Sequence, residues 1–209
     1  MTDDLVLFTN PMSRGRIARW MLEEAGVDYE TRALGYGPDM KSPDYLAINP
    51  MGKVPAVKHG NRVVTECAAI CAYVADAFPQ AGLSPALTDR ADYYRWLFFA
   101  AGPLEAAVTN KSLEVAVPDE KQGFVGYGNF AAVMNTLAKA LSRGPYIAGN
   151  RFTAADVYVG AQVSWGLQFG TFEQRSEFAA YAKRLADRPA YKRATEKDDA
   201  LLAEMKSAS

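Results

Sequence analysis

Histidine is almost missing from this chain. The one copy, His59, sits in Lys58-His59-Gly60-Asn61, which reads as a turn. Triads built on an imidazole base and metal sites built on several imidazoles are therefore excluded or nearly so, and no metal is expected. Cysteine is nearly as scarce. Cys67 and Cys71 lie four apart in a stretch that reads as helix, which is neither a C-x-x-C redox pair nor a zinc spacing. A disulfide between them needs Cβ vectors that face each other, and a regular helix does not supply that. They read as two small, half-buried residues in a reducing compartment. No apolar run reaches the ~18 residues of a spanning helix, so no membrane is expected. The start, Met1-Thr2-Asp3-Asp4, is acidic and leads straight into Leu5-Val6-Leu7-Phe8. A secretory leader wants a basic start and a longer apolar segment, so a cytoplasmic location is expected. An excess of one charge is also lacking: 23 basic residues face 24 acidic ones, a net charge of −1. That gives no electrostatic case for nucleic acid or an anionic surface as partner.

What is present is an ordinary globular composition, 49% hydrophobic and 22% charged over 209 residues, enough for one large domain or two compact ones. Leu5 to Phe8 reads as a buried strand. Arg16 to Ala25 carries Ile17, Trp20, Met21 and Leu22 at helical spacing, with Gly26 as a stop. Tyr29 to Ala33 alternates like a strand, and a short helix is expected near Pro43-Asp44-Tyr45-Leu46. Pro55 to Lys58 and Arg62 to Val64 flank a turn as a hairpin, and Cys67 to Phe78 reads as helix. The order β-α-β-α-β-β-α predicts an α/β thioredoxin-like N-terminal domain over residues 1–79. Residues 80–88 have the composition of a linker. From 89 to 209 only helical patterns follow, near 89–110, 119–142, 153–168, 174–187 and 189–205, which predicts an all-α helical C-terminal domain. Pro103 should kink the first of these helices. Thr153-Ala154-Ala155-Asp156 reads as a capping box, with Phe152 and Val157 at the staple positions, and is an architectural signal.

One proline stands out. In Asn49-Pro50-Met51-Gly52-Lys53-Val54-Pro55-Ala56-Val57, Pro55 heads an apparent strand although it has no N–H for a sheet ladder. This stretch, followed by Thr65-Glu66-Cys67-Ala68-Ala69-Ile70, resembles the glutathione-binding half of the cytosolic glutathione transferases. The later Phe152-Thr153-Ala154-Ala155-Asp156 resembles their helical half. The resemblance spans essentially the whole chain and implies a bacterial member whose subclass is open. It implies a cis peptide before Pro55, which presents the N–H and C=O of Val54 to glutathione as an added strand. It implies that Glu66 meets the γ-glutamyl ammonium, while the helix start at Cys67 holds the adjacent carboxylate. Cys67 stands where the family usually has Ser or Thr, so one side-chain hydrogen bond is expected to weaken. Lys53 is a candidate for attraction to the glycyl carboxylate.

The resemblance also implies that bound glutathione is ionised by a donor in Thr9-Asn10-Pro11-Met12-Ser13-Arg14. A free thiol is only a few per cent thiolate at neutral pH. One hydrogen bond to a charged acceptor, about 1.5–3 kcal/mol, together with a helix N-terminus, can close the gap. Ser13 is the first candidate, with Asn10 and Thr9 as alternatives. Arg14 and Arg16 read as surface or interface charges, and Arg14 also as a charge favouring thiolate. Met12, Tyr94, Phe98, Phe99 and Pro103 are candidate walls of an electrophile pocket. The expected activity is transfer of glutathione to a small hydrophobic electrophile. A glutathione-dependent reductase, peroxidase or isomerase, or a non-catalytic scaffold, stays open, and a homodimer is the family habit.

Overall fold

The computed structural model describes residues 4–207. The acidic Met1–Asp3 and the last two residues lie outside the described residues. The chain divides into two compact units, residues 1–83 with 187–209, and residues 84–186.

The first unit is a four-stranded mixed sheet in the order β2-β1-β3-β4. Strand β1 (Leu5–Thr9) is buried throughout, as its unbroken apolar run requires of a central strand. It pairs parallel with β2 (Glu30–Ala33), an exposed edge strand, across helix α1 (Gly15–Ala25). On its other side it pairs antiparallel with β3 (Ala56–His59), Leu7 opposite Val57, and β3 forms the expected hairpin with β4 (Arg62–Val64). Helices α1 and α3 (Cys67–Ala77) pack together and bury Ile17, Met21, Leu22, Ile70 and Val74. On the opposite face, Val6, Phe8 and Ala56 meet Met40 and Tyr45, the latter from the short helix α2 (Pro43–Ile48). Pro55 ends up just outside β3 and needs no ladder hydrogen bond; the Val54–Pro55 peptide is cis.

The last helix, α9 (Pro189–Ser207), packs on α1 and belongs by packing to this first unit. Chain order alone had assigned it to the helical region 89–209. The attachment is mostly polar. Arg19 and Asp198 form a buried ion pair at 2.8 Å. Arg188 makes a two-pronged bond to Glu24 at 2.6 and 2.7 Å. The Glu23 carboxylate accepts from Tyr29, Lys197 and Arg193. Trp20 meets Tyr191 edge to face.

The second unit is helical, in line with the expected fold class. Helices α4 (Ala91–Phe99) and α5 (Glu105–Ser112) are joined by a π-turn over Ala100–Leu104 that contains Pro103. Gln162 donates to the Ala100 carbonyl in this turn at 3.0 Å. Helix α6 (Phe130–Leu141) is shorter than the 119–142 expected. Gly123, Gly126 and Gly128 carry too little helix propensity for that stretch, and Asn129 caps Ala132 to start the helix late. Helix α7 (Ala154–Gln168) is the buried centre, and α8 (Ser176–Ala186) lies against it. The capping box at its start is saturated. The Asp156 carboxylate accepts from Thr153 N–H at 2.9 Å, Thr153 Oγ1 at 3.2 Å, Ile147 N–H at 2.8 Å and Tyr181 OH at 2.8 Å. Burial pushes this carboxyl up to about 6, with the four donors pulling the other way. Among the described residues no helix is long and apolar enough to cross a membrane.

Candidate functional site

Three segments of the first unit carry the candidate residues: the β1–α1 loop, the turn before β3 and the start of α3. The first two are built from the same tripeptide. In Asn10-Pro11-Met12 and again in Asn49-Pro50-Met51, the asparagine Oδ1 accepts from the methionine N–H two residues on, at 2.9 and 3.1 Å. This is the short side-chain turn that asparagine favours, and the proline ring holds its middle. In both, the asparagine Nδ2 then ties the turn to a carbonyl: Asn10 to Leu34 at 2.8 Å, Asn49 to Lys53 at 2.7 Å.

Asn10 is thus a buried brace with both ends of its amide engaged. It is 1% exposed, and one amide N–H remains beyond the bond to Leu34. Thr9 is also fully buried, its Oγ1 pressed against Gly15, where an added Cβ would come within 1.9 Å. Ser13 is half-buried. Its hydroxyl donates to Asn10 O at 2.7 Å and accepts from Gly15 N–H at 2.9 Å, as a residue at a helix start does. The same Asn10 carbonyl also accepts from Ser13 N–H at 3.0 Å. The hydroxyl can therefore turn away without orphaning its acceptor. Arg16, read above as a surface charge, instead donates to Pro11 O at 2.5 Å.

At the second turn, Tyr45 OH joins Asn49 on the Lys53 carbonyl at 2.6 Å. The next residue, Val54, has no partner for its N–H or C=O among the described residues. The Lys53 side chain is exposed. Lys41, which sequence reasoning missed, donates to Met51 O at 2.9 Å and Gly52 O at 3.3 Å, so a second ammonium borders the turn. No local pattern in the sequence points to it, because the segment before α2 and the turn meet only in the fold.

Helix α3 starts without a side-chain cap. The N–H groups of Cys67, Ala68 and Ala69 therefore lack intrahelical acceptors. Glu66 precedes them with φ +62° and ψ 116°, a conformation that costs a non-glycine residue on the order of 1–3 kcal/mol. Its side chain is exposed. The Cys67 thiol is buried and turned toward Arg14 O at 3.5 Å, away from the role of ligand donor expected from its position.

Of the candidate electrophile walls, Met12 is an exposed loop residue of the first unit. The others lie in the second unit. Tyr94 and Phe98 are exposed one turn apart on α4, Phe99 packs its ring on Trp96, and Pro103 sits in the π-turn.

The family model for the glutathione S-transferase N-terminal domain matches residues 3–76, the span that holds all three segments. Glutathione S-transferase 3 of Zea mays is 32% identical over 164 residues, 73% of this chain and 73% of that protein. The chain belongs to the glutathione S-transferase family. Glutathione S-transferase GstA of Escherichia coli O157:H7 is 28% identical across 95% of this chain and 98% of its own. A sphingomonad glutathione S-transferase solved in complex with glutathione matches with a TM-score of 0.74 at 28% identity, over 93% of this chain and 98% of that one. The open helix start and the unpaired Val54 both lie within the span that the family model matches.

Proposed function

We propose that this transferase binds glutathione along the turn at 52–55 and the start of α3, ionises its thiol, and delivers the sulfur to a small hydrophobic electrophile. The observation that carries the reading is the unpaired backbone of Val54, which offers one N–H and one C=O to the cysteinyl unit of an extended peptide. Glu66 takes the γ-glutamyl ammonium, and the open N–H groups of α3 take its carboxylate. Lys53 and Lys41 attract the glycyl carboxylate. The Cys67 thiol takes no part beyond its backbone N–H.

Ser13 is the thiolate donor in this reading. Its hydroxyl swings from Asn10 O to the sulfur, and Ser13 N–H keeps that carbonyl satisfied. The Gly15 N–H that donates to the same oxygen polarises the hydroxyl and makes it a better donor. The thiol proton leaves to solvent. The thiolate then forms the new carbon–sulfur bond. Either a leaving group departs from that carbon with its bonding pair, or the π pair of an activated double bond shifts away and takes up a proton from solvent. A cytoplasmic homodimer belongs to the same proposal, and light scattering of the purified chain checks the dimer.

A titration of the protein with glutathione across pH, read by thiolate absorbance of the bound ligand, tests the proposal. Ionisation of bound thiol well below the free value near 8.5 is expected. Ser13→Ala should cut turnover at least about tenfold with glutathione affinity kept, because the bond is made to the thiolate. Binding with an unshifted thiol would be the behaviour of a scaffold and would overturn the catalytic reading.

A further inference from the structure

We infer that Arg16 and Asp199 are positioning residues for the thiolate-forming loop, with α9 acting on the site through Arg16. The inference rests on the reading of Ser13 given above. Arg16 reaches in two directions. Its Nε donates to Pro11 O at 2.5 Å, and a terminal nitrogen donates to Asp199 on α9 at 2.7 Å. The fork of a guanidinium holds both acceptors in one plane, which a lysine could not do.

Pro11 matters because of where it stands. It lies between Asn10, the buried brace, and Met12, whose own carbonyl accepts from Tyr36 OH at 3.1 Å. Counting the Ser13 N–H on Asn10 O, the carbonyls of residues 10, 11 and 12 each have a donor besides the Ser13 hydroxyl. A carbonyl oxygen left free beside a forming thiolate opposes the negative charge. Tying these three away leaves the Ser13 hydroxyl to meet the sulfur. Asn10 holds one end of the loop from β1, and Arg16 holds the middle from α1.

The Arg16–Asp199 pair is half open to solvent, with side-chain exposures of 26% and 61%. Exposed pairs of this kind contribute little to stability. The neighbouring Arg19–Asp198 pair, at 4% and 1%, already fastens α9 to α1. The outer pair is thus surplus as a fastener, and its distinguishing contact is the one with the loop.

The test compares Arg16→Met, Asp199→Ala and Asp199→Asn with Ser13→Ala and the native chain. The readouts are ionisation of bound glutathione, turnover and KM with glutathione and chlorodinitrobenzene, and melting temperature. Arg16→Met should raise the bound thiol's ionisation midpoint by about half a unit or more, roughly a threefold loss of thiolate near neutrality. Turnover should fall by a similar factor while KM for glutathione stays within about twofold. Asp199→Ala should move the same way by less. Asp199→Asn, which keeps an acceptor oxygen, should restore near-native behaviour. Unchanged ionisation and turnover in Arg16→Met would overturn the inference. So would Asp199→Asn falling as far as Asp199→Ala, since that is the mark of a charge effect. If Arg16→Met does not fold, the exposed Asp199 variants decide alone. A shift in Ser13→Ala without one in these variants would sink this inference only. No shift in Ser13→Ala would sink the Ser13 reading beneath it.

Discussion

Two helix starts in this molecule are built in opposite ways. At α7 the acidic residue is enclosed by the chain's own groups: the Asp156 carboxylate takes two backbone N–H groups and two hydroxyls, out of reach of water. At α3 nothing caps the helix, and the preceding Glu66 is held in a left-handed backbone conformation with its carboxylate exposed. Both begin with an acidic residue close to the helix start, and both are favoured by the helix dipole. The closed start has its carboxylate fully taken up by the protein and serves the fold. The open start has donors left, and its backbone is held in a costly conformation that leaves them that way. In the function proposed above, the open one receives the carboxylate of the γ-glutamyl unit.

The sharpest way to break the contrast is at the closed end. Asp156→Ala would orphan four buried donors and should lower stability by about 3 kcal/mol or more, a drop of roughly 6–12 °C in melting temperature. Calorimetry checks this, and glutathione affinity of the folded fraction should not change. A pH series refines it. With the carboxyl pushed up to about 6 from its ordinary value near 3.9, the native state holds a proton that the unfolded state has released between those values. Stability from this group is therefore present at low pH and lost as pH rises through about 6. The advantage of the native chain over Asp156→Asn should shrink by about 3 kcal/mol between pH 4 and 7 in denaturant titrations. At the open end the effects move to binding. Glu66→Ala should weaken glutathione by about tenfold, for one lost charged contact, with little change in melting; calorimetric titration reads it. Strong destabilisation with unchanged affinity would make Glu66 an architectural residue like Asp156. The smallest effect is expected from Cys67→Ser. The thiol points at Arg14 O, so the hydroxyl should take over that contact and leave affinity within about twofold.

The sequence made the contiguous features legible. Leu5–Phe8, Pro55 and the Glu66-Cys67 pair announce themselves through neighbours, and the fold class followed from the order of such segments. Contacts between distant segments were not legible. The bracing bond of Asn10 gave no local sign because its partner, Leu34, lies 24 residues away. Lys41 had no local signal at all. Arg16 passed for a surface charge because both its acceptors are fixed by tertiary structure, one of them on α9. The overlong helix at 119–142 arose differently: the apolar spacing of α6 was extended backwards over glycines that the helix does not tolerate. The capping box was read correctly because all its sequence determinants lie within four residues.

The attachment of α9 bears on the order in which the chain can be completed during synthesis. Arg19, Glu23 and Glu24 leave the ribosome early, within α1, as three charges headed for semi-buried or buried positions. Their main counter-charges, Asp198, Lys197, Arg193 and Arg188, are translated at least 164 residues later. Until α9 emerges, the nascent sheet domain exposes a charged flank and the apolar ring of Trp20. An N-terminal piece ending near Leu83 would stay in that unfinished condition permanently, so the smallest autonomous form of the sheet domain is one with α9 supplied, on the same chain or as a separate peptide.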